Sequence, residues 1–131
     1  MKTTMLTYHN FFLTLTSKVP EVIPIYEEHI KDFGELLPHV MMSTLTRYVI
    51  EIHRRSQINE PDANHNRQIL VKILSLLESA MASSDAKLRD LVLASFLENL
   101  DFSDEHYKNL TALFGPHLKK NLKLYERLYK T

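Results

Sequence analysis

Residues 32–42, Asp32-Phe33-Gly34-Glu35-Leu36-Leu37-Pro38-His39-Val40-Met41-Met42, written DFGELLPHVMM, decide how this chain is read. The tripeptide Asp-Phe-Gly holds magnesium in protein kinases, but 131 residues make one domain of usual size and leave no room for a kinase. The same letters also describe a join between two helices. Glycine accepts positive φ at little cost and so stops helices, whereas proline suits the first turn of a helix, where a missing N–H costs nothing. On this reading Phe33 closes the apolar stripe of one helix and Gly34 ends it. Pro38 starts the next helix with Met41 and Met42 turned to the core, which leaves Asp32 and Glu35 on an exposed corner.

The only other glycine, Gly115, stands directly before Pro116, so both glycines are expected in the same helix-ending role. Between these marks the apolar spacing is helical. A first helix is expected from about Thr4 to Lys18, with Tyr8, Phe12, Leu15 and Val19 on one face. A second follows over Glu21 to Phe33, its stripe formed by Val22, Tyr26, His29 and Phe33, with Pro24 in the first turn. The third, Pro38 to Ser56, buries Met41, Leu45, Tyr48 and Ile52 and leaves Arg47, Glu51, Arg54 and Arg55 to solvent. The polar segment QINEPDANHN, residues 57–66, is a loop.

From Asp62 or Asn64 to Ala82, Ile69, Leu70, Ile73, Leu74, Leu77 and Met81 form a broad stripe that places this helix at the centre. Ser83, Ser84 and Asp85 supply N-cap chemistry for a fifth helix reaching Leu100. Ser103 caps a sixth over Asp104 to Phe114. The seventh, starting at Pro116, turns Leu118, Leu122, Tyr125 and Tyr129 to one side, with Leu124 and Leu128 nearby. No segment alternates in the manner of a strand. The expected fold is all-α: one domain, residues 1–131, built as a compact bundle or array of about six to seven antiparallel helices.

Composition narrows function. Sixteen basic and sixteen acidic residues cancel, which argues against a nucleic-acid binder that relies on overall positive charge. No cysteine is present, so disulfides, thiolate metal sites and cysteine nucleophiles are excluded. The N-terminus lacks the continuous apolar region of a signal peptide and is read as mature protein. The most apolar run, residues 69–77, is far below the ~18 residues that span a bilayer, and no membrane partner is expected.

Catalytic motifs are also missing. The seven histidines include no HExxH frame and no pair four residues apart. His29 reads as a core or boundary histidine with one hydrogen bond, His39 as a local partner for Glu35, and His65 as a neighbour of Glu60 and Asp62 without a full metal shell. There is no GxSxG elbow and no glycine-rich phosphate loop. The chain is expected to be no enzyme, with no catalytic residue, no metal and no cofactor.

What remains is charge distribution. Residues 21–35 hold five acids and one lysine, and residues 98–105 hold Glu98, Asp101, Asp104 and Glu105 with no base. Such local negative surfaces suit a basic partner. The C-terminal KKNLKLYERLYK carries five bases and one acid, the basis of an alternative reading as a nucleic-acid-binding regulator using this helix.

Pro20-Glu21, the Gly-Glu-Leu-Leu-Pro-His junction at 34–39 followed by Arg47-Tyr48, and the pair FLENL at 96–100 and FGPHL at 114–118 together resemble small helical bacterial proteins of uncharacterised domain families, some of which are encoded beside polymorphic or contact-dependent toxins and look like their immunity proteins. The resemblance spans most of the chain and rests on helix junctions. It implies a cytoplasmic immunity protein that binds one cognate toxin, commonly a nuclease, and blocks its active site. Under that reading Asp32, Glu35, Asp101, Asp104 and Glu105 face a basic catalytic cleft, and Tyr107 is an aromatic anchor. Inhibitors of nucleases are often strongly acidic, whereas this chain is neutral overall, so the local acidic segments must carry the contact.

Overall fold

The computed structural model describes residues 5–58 and 61–129, except for the side chain of Tyr129. Thr4, Asn59, Glu60 and Lys130, on which parts of the sequence reading fall, lie outside the described residues. The fold is all-α, with no strand among the described residues. Its helices are α1 Phe11–Lys18, α2 Ile23–Phe33, α3 Pro38–Ser56, α4 Ala63–Met81, α5 Ala86–Val92, α6 Tyr107–Thr111 and α7 Pro116–Tyr129. A 3-10 turn, Pro20–Val22, leads into α2, and a π-helical turn, Leu93–Leu97, continues α5.

The centre is a helical trio. The α3–α4 pair is joined at its base, where the Arg67 guanidinium donates to the Ser56 carbonyl at 3.0 Å. From α4 the chain returns along α3 in the direction of α3 itself: His39 meets Ser95 at 2.6 Å and Ser43 meets Asn99 at 3.1 Å. Inside the trio Met41, Met42, Leu45, Val49, Leu70, Ile73, Leu77, Leu88, Leu91 and Phe96 are buried, with α1 and α7 packed on α4.

Gly34 has φ 76° and its N–H closes α2 on the Ile30 carbonyl, the role expected of it. Gly115 is different. Gly34 alone has positive φ among the described residues, and a Cβ at position 115 would lie 2.5 Å from Cδ of Glu78. Glycine there leaves room for the close approach of a carboxylate and is not called for by backbone sign.

Four further expectations are corrected. The first helix begins at Phe11 because Asn10 folds back, its Oδ1 accepting the Thr7 N–H at 2.8 Å and its Nδ2 donating to the Met5 carbonyl. Phe33 is 50 % exposed and leans on His29 with ring centroids 4.9 Å apart, so α2 ends at the surface. The fifth helix changes to a π turn at Leu93 and stops short of Leu100. The sixth starts at Tyr107, because the Ser103 hydroxyl donates to Asp101 and does not cap a helix.

Candidate functional site

The acidic residues singled out by sequence lie at opposite ends of α3. Asp32 and Glu35 are exposed at the α2–α3 corner, beside its N-terminus. Asp101 and Asp104 sit near Ile50 and His53, with which they line one small surface depression. At 1.5 Å per residue the two groups are about 20 Å apart along the helix. The structure therefore provides two acidic corners and not one continuous acidic face.

The corner at 101–106 is ordered by its own side chains. Asp101 Oδ1 accepts the Ser103 N–H at 2.9 Å and the Ser103 hydroxyl at 2.6 Å, and Asp104 Oδ1 accepts the His106 N–H at 2.9 Å. These bonds are turns in which a carboxylate replaces a backbone acceptor, so the backbone is held without a helix. The Ser103 hydroxyl, and then its N–H, keep the Asp101 carboxyl below the usual carboxylate range. Glu105 projects into solvent, its side chain 86 % exposed, with His106 Nε2 3.3 Å away.

Tyr107 is not an exposed anchor. The residue is buried, its ring meets Phe102 edge to face with centroids 5.1 Å apart, and its hydroxyl donates to Glu126 at 2.9 Å. Burial, followed by the Glu126 hydrogen bond, pushes the phenol above its ordinary pKa. Tyr107 thus ties the acidic turn to α7.

Behind the turn lies a group that sequence reasoning missed. His53 is 1 % exposed and its Nε2 has no hydrogen-bond partner among the described residues; its ring stands 6.1 Å from that of His106. Burial, reinforced by His106 and opposed by Asp104, lowers the pKa of His53. His53 follows Val49 by four residues and Leu45 by eight, so helical spacing marks it for the packed face, and the return of residues 100–107 covers it. Because the folded pKa lies below the unfolded value of about 6.5, folding is unburdened above that pH and loses stability as pH falls below it toward the depressed value. Thermal unfolding between about pH 7 and pH 5 is expected to show this loss, and His53→Leu to flatten it. An unchanged slope in the variant would assign the pH dependence elsewhere.

The three histidines singled out by the sequence make local contacts. His29 is buried and its Nε2 accepts the Leu37 N–H at 2.9 Å, as a boundary histidine should. His39 pairs with Ser95 and not with Glu35. His65 Nε2 lies 3.4 Å from Glu21. Among the described residues, no group of three histidine or carboxylate side chains is arranged to hold a metal ion. None of the described helices is long and apolar enough to cross a membrane.

No curated protein and no solved structure matches the chain. A family model described as a domain of unknown function, DUF7674, does match it, over residues 12–130. With that match covering nearly its whole length, the chain belongs to the DUF7674 family.

Proposed function

We propose that this protein is a cytoplasmic immunity protein, a helical scaffold that binds a basic toxin domain, most simply a nuclease, and occludes its active site. The observation that carries the reading is the turn at 101–106, which holds two carboxylates in fixed directions, Asp101 and Asp104, and exposes Glu105 beside them. Preorganised acids lose little freedom on contact, and they imitate the phosphates that a nuclease cleft is built to receive. Asp32 and Glu35 form a second, outlying contact. A standard interface is roughly 30 Å across, so one partner can span both corners.

The test is to mix the purified protein with the product of the adjacent gene and to express that product in cells with and without it. A stable complex and protected cells are expected; neither would be seen if the reading is wrong. Within the complex, Asp101→Lys together with Asp104→Lys should slow association by about tenfold or more at low salt and flatten its salt dependence. The same change at Asp32 should have a smaller effect. The alternative, a nucleic-acid regulator acting through α7, instead predicts an electrophoretic shift of DNA or RNA that weakens steeply with salt.

A further inference from the structure

Helix α7 has two working faces. Leu118 and Leu122 are buried, and Tyr125 packs on Phe102 with ring centroids 5.8 Å apart, which seats one face on the core. Along its outer flank Lys119, Lys120, Lys123 and Arg127 are all exposed. They surround a shallow groove of about 380 Å³ completed by Pro116 and Leu124, with no carboxylate in its lining. The only acid of the helix, Glu126, is held by the Tyr107 hydroxyl. Among the described residues, none of the four cations forms an ion pair.

Two leucines complete the flank. Leu124 is 47 % exposed and Leu128 72 % exposed, one helical turn apart among the cations. The sequence placed both near the packed face, but the rotation of α7 that buries Leu118 and Leu122 turns them outward. Lysine and arginine alone would suit any polyanion. Leucines at the crest of the same flank gain nothing from phosphate oxygens and cannot hydrogen-bond base edges, whereas the headgroup–acyl boundary of a bilayer accepts apolar side chains flanked by cations.

We propose that the outer face of α7 docks on an anionic lipid bilayer, with Lys119, Lys120, Lys123 and Arg127 at the headgroups and Leu124 and Leu128 dipping beneath them. This is a surface contact and needs no spanning helix. It uses a different face from the acidic corners and stands independently of the toxin-binding reading.

Sedimentation of the full-length protein with vesicles tests it, comparing phosphatidylcholine alone with a phosphatidylcholine–phosphatidylserine mixture at low and high salt. The protein is expected to pellet only with the mixed vesicles and to be released by salt. Each cation near such a surface is worth about fivefold in partitioning, so Lys120→Glu with Lys123→Glu should reduce binding by more than about 20-fold. Leu124→Ser with Leu128→Ser should weaken it severalfold without altering the salt dependence. Far-UV circular dichroism confirms that these exposed substitutions leave the helices intact. No binding to the mixed vesicles overturns the proposal. So does tight binding to a DNA duplex that the leucine variant retains, which would assign the face to nucleic acid.

Discussion

Phe96→Ala is expected to destabilise the protein by about 3–5 kcal/mol, read as a fall in the urea midpoint at unchanged slope. Phe96 is fully buried in the π turn and packs on Phe114 with ring centroids 6.0 Å apart. Its removal leaves a cavity between the π turn, α3 and α7, where neighbouring helices cannot collapse without losing other contacts. The single proton of the buried Thr46 hydroxyl faces three carbonyls, that of Met42 in its own helix at 3.0 Å, that of Ser95 at 3.2 Å and that of Phe96 at 3.4 Å. A π turn disturbs the regular helical ladder, and side-chain donors help to satisfy its carbonyls, the Asn99 amide donating to that of Ser95 at 2.8 Å. Phe96→Leu, which keeps most of the volume, should cost clearly less. Equal losses in the two variants would mean that the aromatic ring, and not filled volume, is what the site requires.

Glu78→Ala is expected to cost about 2–3 kcal/mol, because one carboxylate caps α7 from another helix. Glu78 Oε2 accepts the His117 N–H at 2.9 Å, Oε1 accepts the Leu118 N–H at 3.0 Å, and the His117 ring closes on Oε2 at 2.6 Å. These are N–H groups that α7 cannot satisfy internally, and a negative charge there complements the helix dipole. Gly115→Ala should have a comparable effect through the same contact, since the added Cβ would displace the Glu78 carboxylate. The double variant should therefore cost less than the sum of the single ones by about 1 kcal/mol or more. Strict additivity would show that Gly115 is needed for another reason.

The same carboxylate makes a pH prediction. Burial raises the pKa of Glu78, but the Leu118 and His117 N–H groups and the His117 ring outweigh it, and the net shift is downward. A depressed folded pKa means that the stabilisation is complete above the unfolded value of about 4.3 and is lost as pH falls through the folded one. Acid unfolding of the wild type should steepen in that range relative to Glu78→Gln.

Helix existence was legible wherever apolar spacing was strong. The α3 limits agree with proline and polar punctuation, and α4 agrees within a residue or two, because a wide stripe of leucine and isoleucine has no other way to reach a core. Short elements were less legible. Residues 101–106 carry a capping pattern that a helix could use, but the Asp101 and Asp104 side chains bind the nearby N–H and hydroxyl groups first and hold turns instead. The exposed acids of the candidate site, Asp32, Glu35, Asp101 and Glu105, were readable as surface from their charge. The burial of Tyr107 was not, because an aromatic residue in a polar segment suits a core and an interface equally well.

By itself the sequence determined that the chain is helical, where its long helices run, and that Gly34 must turn left-handed at φ 76°. These properties follow from spacing and from backbone sterics, which act over a few residues. Only the tertiary structure decided that Gly115 makes room for Glu78, that His53 is covered by the turn at 101–107, and that Leu124 and Leu128 face outward beside four cations. Each of these depends on which distant segment arrives against a helix and at what rotation. Helical periodicity states that a face is apolar, but the packing of α4, α5 and α7 chooses which apolar residues it covers.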